Sequence, residues 1–345
     1  MASSKPHAVV ELTLARLREF LREPEAVFWV FAFPVLMALA LGIAFRQERE
    51  QELVVGVVQE AGSPIADALR GARNIRVSEL TREEAEAALR GGEVMLVVVP
   101  GEPPTYRFDP TRPESRTARL LVDDVLQRAR GRTDVWQARD DEVVAPGSRY
   151  IDWLIPGLLG MNIMGTGLWS VGFSVVVART RKLLKRFMAT PMPRSLYLLS
   201  HLLARLVFLV LEVSALLLFA HFVFGVSSAG SLWLVAGLAL LGAFTFAGIG
   251  LLIASRAKTI EGVSGLMNLV MLPMWLLSGV FFSSSNFPDV AQPFIRLLPL
   301  TALNDALRAV MLEGRGVAAI APEAGLLGVW AVTSFLAALK LFRWR

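Results

Sequence analysis

Six long apolar stretches are the most prominent pattern along this chain. The apolar core of a bilayer is about 30 Å thick, so a helix needs roughly 20 apolar residues to cross it. Each of the six stretches meets that length, which predicts six transmembrane helices. The stretches run over residues 26–45, 153–178, 196–224, 231–254, 262–282 and about 321–342.

A cleaved signal peptide is the alternative for the first stretch, because Ala38-Leu39-Ala40 resembles a cleavage site. The region ahead of the stretch is long and contains four acidic residues, which is not typical of a signal peptide. We therefore expect the stretch to remain in the protein as the first span.

The region between the first two stretches, residues 46–150, has the composition of a soluble domain. Short apolar runs at 52–59 and 93–99 indicate buried strands, and 105–110 indicates another strand. A capping box of Thr81 and Glu84 opens a short helix that ends in glycines, and a longer helix is expected over 114–130. This alternation predicts a small α/β domain. It contains no catalytic or metal-ligating pattern, and the adjacent Asp123 and Asp124 are expected to be solvated.

An amphipathic helix is predicted ahead of the first span, over residues 7–23. At 100° per residue, Val10, Leu14 and Phe20 fall on one side, and Arg18 lies on the opposite side. Such a helix is expected to lie in the membrane interface, within a cytoplasmic segment of residues 1–25. Packing of its apolar side on protein is the alternative.

The composition agrees with a membrane protein and narrows the chemistry. Hydrophobic residues make up 54% of the 345 residues, 19% are charged, and the mean hydropathy is +0.53. The formal charge of +5 comes from local clusters, and basic residues do not alternate with aromatic ones as in nucleic-acid-binding proteins. The chain has no cysteine, and its three histidines are too scattered to suggest a zinc site.

The densest positive charge lies between spans two and three, in residues 179–195. Lysine and arginine concentrate in cytoplasmic loops, so this segment and both termini are expected inside. Residues 46–150 and a helical segment at 284–320 are then external, and 151–345 form a five-span transmembrane domain. In the segment 179–195 there is no acidic residue, and the six basic residues are Arg179, Arg181, Lys182, Lys185, Arg186 and Arg194.

The external segment 284–320 is too short to be a domain of its own. Leu303, Leu307, Val310 and Met311 share one face of a predicted helix there. We expect that helix to lie in, or dip into, the outer leaflet.

Two interpretations fit the basic segment. As a topology anchor, its cations contact anionic lipid, at about 1 kcal/mol each. As a lever, it docks on a cytoplasmic partner. We favour the lever, because Leu183, Leu184 and Phe187 form an apolar patch among the cations, and Pro191 ends the helix near Thr190.

Three stretches together resemble the signature of type-2 ABC transporter permeases, the membrane subunits of ABC exporters. They read RKLLKRFMATPMPRSLYLLS, EGVSGLMNLVMLPMWLLSGVFFSSSNFP and LPLTALNDALRAVMLEG. With six spans and a large extracytoplasmic loop after the first, as in multidrug-type permeases, the resemblance covers essentially the whole chain. Many members have glutamates just before the threonine–proline pair. Thr180 and Lys185 stand there in this chain, so a role for those acids is not carried over.

The resemblance implies a homodimer or heterodimer of permeases, served by two cytoplasmic ATPase subunits. ATP and Mg²⁺ are expected on those subunits, because this chain has no G-x-x-x-x-G-K-[ST] loop, and we expect it to bind no cofactor or metal and to be no enzyme. In the family, the amino-terminal helix and the first cytoplasmic loop transmit ATPase closure. By position, the expected coupling residues are Arg181, Lys182, Leu184, Arg186, Phe187, Thr190, Pro191 and Pro193.

Polar residues recur within the predicted spans. Span two has Asn162, Thr166, Ser170 and Ser174, four residues apart. Such residues either pack against other helices or line a path for the transported compound. The resemblance favours the path, because spans two and five border it in the family. The candidate path residues are Asn162, Thr166, Ser170, Asn268 and Met271.

A charged pair is expected within span three. Arg205 and Glu212 are two turns apart, on nearly the same face. A charge at mid-membrane costs at least about 2.5–3.5 kcal/mol, so Glu212 should be paired or protonated. We favour a structural pair over proton coupling.

The sequence therefore predicts the transmembrane subunit of an ABC exporter for hydrophobic or amphipathic compounds, in the cytoplasmic membrane of a bacterium. The external domain is a candidate contact for a periplasmic accessory protein. One alternative is an intramembrane serine protease, since GVSG around Ser264 resembles a rhomboid motif, but no histidine follows His221 to act as its base. A second alternative is a membrane anchor for an external binding domain, but an anchor does not need six spans with polar strips.

Overall fold

The computed structural model describes residues 5–45, 52–60, 64–72, 74–134, 136, 139, 147, 149–180, 194–257 and 259–341. Within these ranges the side chains of residues 5–8, 16, 178 and 194–202 are not described. The chain forms two compact units, one made of residues 1–46 and 144–345 and the other of residues 47–143. We call them the membrane unit and the α/β unit.

Six helices in the described part of the membrane unit are long and apolar enough to cross a bilayer. The prediction of six spans is confirmed. Span five ends at Leu277, five residues before the predicted end, because Gly279 has a φ of +69° that breaks the helix. The spans are Pro24–Ala44, Tyr150–Val177, Leu203–Phe224, Leu232–Arg256, Ile260–Leu277 and Ala321–Leu341.

Span four packs closely against spans two and six. A Cβ atom on Gly172 would lie 2.7 Å from the carbonyl oxygen of Gly250, and one on Gly250 would lie 2.7 Å from that of Leu168. Ala239 and Ala243, two small residues one turn apart on span four, are buried. Small side chains therefore let these helices approach until their backbones touch.

The amino-terminal helix α1, Lys5–Leu21, packs against span three. The ring of Phe20 lies 4.2 Å from that of Phe208 and 6.4 Å from that of Phe31 on span one. Val10 and Leu21 remain more than half exposed. The helix thus has both a protein contact and an apolar surface that is free to enter the membrane interface.

The α/β unit is built on a four-stranded sheet in the order β2-β1-β3-β4. Strands β1 (Leu53–Val58), β2 (Ile75–Leu80) and β3 (Leu96–Val99) are parallel, and β4 (Thr105–Arg107) is antiparallel to β3. The predicted α/β fold is confirmed. Strand β2 and helix α2 (Ile65–Arg70) were not predicted, because β2 alternates apolar with polar residues in a short, charged stretch.

Two further helices complete the described part of the α/β unit. Helix α3 is Arg82–Gly91, and the predicted capping box of Thr81 and Glu84 is present at its start. Helix α4 is Pro113–Ala129. Helices α2 and α4 cover one face of the sheet, and α3 packs on the other against Val94 and Val97.

The segment between spans five and six contains helices α5, Gln292–Leu297, and α6, Pro299–Met311. The predicted apolar face of α6 exists, but Leu303, Leu307 and Val310 are fully buried against protein. Helix α6 packs on spans two, four and six. It is therefore part of the core of the membrane unit, which differs from a helix lying flat in the outer leaflet.

Candidate functional site: polar groups within the spans

A buried polar network connects spans two and three. The Nη2 atom of Arg205 lies 3.1 Å from Oε1 of Glu212 and donates to Oγ1 of Thr166 at 2.8 Å. The Thr166 hydroxyl is 3.1 Å from the same carboxylate oxygen and 2.9 Å from the carbonyl oxygen of Asn162. The Thr166 hydroxyl therefore stands between the two charges and ties them to span two.

The ion pair of this network is shielded from solvent. The side chain of Glu212 is 0% exposed and that of Arg205 is 15% exposed. Their spacing of seven residues puts both on one side of the helix, so they pair along span three while facing span two. Among the described residues, Oε2 of Glu212 and Nε of Arg205 have no hydrogen-bond partner. In a low dielectric this pair is expensive to break.

Asn162 extends the network to span one. Its Nδ2 atom donates to the carbonyl oxygen of Val30 at 3.2 Å. Val30 lies in a π-helical turn, Phe28–Ala32, at whose end the amide of Phe33 donates to Phe28. In such a wide turn a carbonyl is left without its usual partner in the helix, and a side chain of a neighbouring helix can satisfy it.

The predicted polar strip of span two is interrupted after Thr166. A second π-helical turn, Trp169–Phe173, begins there, and Ser170, within it, is exposed on the surface of the unit. Ser174 donates to the carbonyl oxygen of Val171 at 2.9 Å. The structure thus brings Asn162 and Thr166 together with Arg205 and Glu212, but it does not bring Ser170 to them.

Span five presents its two candidate residues differently. Asn268 is exposed on the surface of the membrane unit, beside Leu269 and Leu272. Met271 is 4% exposed, and its Cε atom lies 3.8 Å from where a Cβ atom on Gly165 of span two would be. Met271 therefore packs between spans two and five, whereas Asn268 faces away from the chain.

The predicted coupling residues lie outside the described residues, but the structure shows how the preceding helix ends. Arg179 is one of the six basic residues of segment 179–195. Its Nη1 atom donates to the carbonyl oxygens of Ala254 at 3.2 Å and Ala257 at 3.1 Å. The last carbonyls of a helix lack partners and carry negative partial charge. Arg179 therefore caps span four. The coupling residues not described are Arg181, Lys182, Leu184, Arg186, Phe187, Thr190, Pro191 and Pro193.

A second cationic site lies around Arg308 of α6, and it was not predicted from the sequence. The guanidinium lies 3.8 Å from the ring centre of Trp153 and donates to the carbonyl oxygens of Gly279 and Trp153. Burial lowers the pKa of Arg308 to about 10, and the charge of Asp305 opposes that shift. Arg308 thereby holds together α6, the start of span two and the turn after span five. The partners of Arg308 are up to 155 positions away in the sequence, so no local sequence pattern predicts them.

The protease alternative lacks its catalytic geometry. Ser264 lies near the start of span five, where its hydroxyl donates to the carbonyl oxygen of Ile260 at 2.9 Å. His221 lies near the end of span three, beside the carbonyl oxygen of Val226. Because span four of 25 residues separates these two ends, the imidazole and the hydroxyl are on opposite sides of the bundle.

Six spans that enclose a polar network define a multi-pass membrane protein rather than a soluble domain with an anchor. Comparison with known sequences gives the family. The sequence model described as ABC-2 type transporter matches residues 119–312, more than half of the chain. The chain therefore belongs to the ABC-2 type transporter family. This confirms the resemblance found in the sequence. Members of this family work with ABC ATPase subunits.

Several curated relatives are permeases. Nodulation protein J of Bradyrhizobium diazoefficiens is 41% identical over 100 residues, which cover 29% of this chain and 38% of the relative, so this chain matches well under half of that relative. Inner membrane transport permease YadH of Escherichia coli is 28% identical over 202 residues, 57% of this chain and 76% of the relative. Probable multidrug ABC transporter permease YbhS of Escherichia coli is 23% identical over 342 residues, 88% of each.

Proposed function

We propose that this permease is the membrane subunit of an ATP-driven exporter for hydrophobic or amphipathic compounds, such as drug-like molecules or lipids. It moves them outward from the cytoplasm or the inner leaflet of a bacterial cytoplasmic membrane. ATP and Mg²⁺ bind to two separate ATPase subunits. The name of the relative YbhS, a probable multidrug permease similar over 88% of both chains, supports this class of substrate.

The observation that carries the proposal is the position of two polar side chains on the surface of the membrane unit. Asn268 on span five and Ser170 on span two are both exposed. In lipid, a primary amide without a partner is costly, so such residues face protein or a wet cavity. A second permease that covers spans two and five would enclose these residues in a path between the two copies.

Coupling to the ATPase is proposed for residues 181–193, on the cytoplasmic side with both termini. Arg179, two residues ahead, binds Ala254 and Ala257, so a push on the segment would reach span two and the end of span four together. In the same topology the α/β unit is external and open to a periplasmic accessory protein, and α6 lies near the outer surface.

Labelling of single cysteines tests the topology, since the natural chain has no cysteine to give background. A membrane-impermeant maleimide applied to intact spheroplasts should leave Arg186→Cys unmodified and modify it after lysis. Asp67→Cys, in the α/β unit, is the matched control and should be modified in intact spheroplasts. Labelling of Arg186→Cys from the outside would overturn the orientation and the proposed lever.

Transport is tested with the permease and its partner ATPase, reconstituted together in proteoliposomes. ATP should drive movement of a fluorescent phospholipid or of rhodamine, and Asn268→Leu should reduce it. Leu269→Ala, next to Asn268 and also exposed, is the control. If ATP is hydrolysed but neither probe moves, the proposed substrate class is wrong.

A further inference from the structure

The two faces of the α/β sheet are covered unequally. In the described part of the unit, α2 and α4 cover one face, whereas α3 is the helix on the other. A helix is about 10 Å wide and strands are about 4.8 Å apart, so one helix covers roughly two of the four strands. Helix α3 reaches Val97 of β3, so the part of that face that is left open lies over β4.

Strand β4 shows the difference directly. Its Tyr106 points to the two-helix face, where it is half-buried and donates to Asp123 of α4 at 3.1 Å. Its Thr105 and Arg107 point to the face of α3 and are exposed. Between α3 and β4 runs a groove of about 440 Å³, which we call the basic groove. It is lined by Arg82, Leu89, Arg90, Val97, Val99 and Arg107.

The charge of the basic groove is opposite to that of its unit. Residues 47–143 contain nineteen acidic and fourteen basic residues. The groove lining nevertheless has three arginines, Arg82, Arg90 and Arg107, against one acid, Glu86. Glu86 lies on α3 and binds Arg107 of β4 at 2.5 Å across the groove. The carboxylate of Glu86 thus already pairs with one of the three arginines. This pair shows that the groove accepts a carboxylate.

The groove borders a free strand edge. Within the described residues β4 pairs only with β3, so the other edge of β4 has backbone groups available. Such an edge recruits extended peptides by strand addition, with alternate side chains directed into neighbouring pockets. A lipid or a small anion would match the arginines but would leave the backbone edge unused.

We infer that the basic groove binds an extended, acidic segment of a partner protein, which adds to the free edge of β4 and places its carboxylates on Arg82, Arg90 and Arg107. The segment competes with Glu86 for Arg107. This inference does not depend on the direction of transport or on the compound transported.

The test is fluorescence anisotropy with the full chain in nanodiscs of zwitterionic lipid, which do not attract an anionic peptide. The probe is a labelled nine-residue peptide of alternating glutamate and valine. It should bind in a salt-dependent manner, and the triple variant Arg82→Ala, Arg90→Ala, Arg107→Ala should weaken binding about tenfold, given the modest value of exposed ion pairs. Arg116→Ala, Arg119→Ala, Arg128→Ala, on α4 at the opposite face, is the control of equal charge and should bind as the natural chain does.

Two further measurements separate this inference from charge attraction alone and from misfolding. Glu86→Gln should tighten binding about two- to threefold, because it frees Arg107, and misfolding would not improve binding. A probe with N-methylated backbone amides should bind at least several-fold more weakly. Failure of the unmodified probe to bind, equal loss in both triple variants, or equal binding of the methylated probe would each overturn the inference.

Discussion

Ion pairs of the α/β unit lie at its surface, whereas Arg205 and Glu212 of the membrane unit pair out of reach of solvent. Arg76 and Glu52, for example, are 2.5 Å apart with side chains 69% and 54% exposed, against 15% and 0% for Arg205 and Glu212. Exposed pairs gain little because water and salt screen them. An arginine–glutamate pair is thus a minor surface feature in the α/β unit, whereas in the membrane unit it constrains how the helices pack.

The largest effect is expected from Glu212→Ala, which leaves the buried Arg205 without its counter-ion. Breaking a buried pair by removal of one partner costs about 3–5 kcal/mol. The free energy of unfolding in bicelles is the measurement, and Glu86→Ala in the α/β unit, an exposed partner, should change it by less than about 1 kcal/mol. The double change Arg205→Met, Glu212→Leu should recover most of the loss. Equal small effects of Glu212→Ala and Glu86→Ala would remove the contrast between the units.

A smaller loss is expected from Gly172→Ala, where span two meets span four. The added methyl would lie 2.3 Å from Cε of Met267 and 2.7 Å from the carbonyl oxygen of Gly250. Overpacking of this kind costs about 1–3 kcal/mol. Gly265→Ala in span five meets nothing within 4 Å and should be neutral or stabilising, as measured by unfolding in the same bicelles. If both changes had the same effect, close packing would not explain why small residues stand at this crossing.

Arg179→Ala is expected to cost about 1 kcal/mol, because it removes a cation from the carboxyl end of span four. Arg256→Ala, at the same end but exposed, should cost less. The functional measurement is the ratio of compound moved to ATP hydrolysed in proteoliposomes. That ratio should fall for Arg179→Ala and stay constant for Arg256→Ala. A constant ratio in both would show that Arg179 only stabilises the helix end.

The parts of the structure that follow local rules could be predicted from the sequence. Span length follows from one continuous apolar stretch, and the Thr81–Glu84 capping box and the common face of Arg205 and Glu212 depend on neighbours within two helical turns. The π-helical turns could not be predicted, because the turn around Val30 is matched to Asn162, 132 positions away. Ser170 lies within such a turn, and its exposure could not be read from the four-residue spacing of the polar residues.

The site at Arg308 likewise depends on long-range contacts that the sequence does not predict. An arginine in an apolar helix predicts a partner, but which partner depends on how α6 packs against Trp153 and Gly279. Likewise, the alternation of strands and helices predicts the α/β unit, yet the open part of one sheet face, over β4, appears only once the strand order is known. Packing between distant segments determines both the partners of Arg308 and the open part of the sheet face, and no short stretch of sequence predicts that packing.

The last expected effect lies in the α/β unit and depends on pH. Burial and the hydrogen bond to Asp123 raise the pKa of Tyr106 from 10 to about 12. A raised pKa means that the neutral phenol is favoured in the folded state. Its contribution to the free energy of unfolding is therefore complete below about pH 10 and is lost as the pH rises toward 12. Absorbance of the phenolate should show the delayed ionisation, which Tyr106→Phe removes. The natural chain should lose stability faster than Tyr106→Phe between pH 10 and 12, and parallel losses would show that the phenol is as free to ionise as one in water.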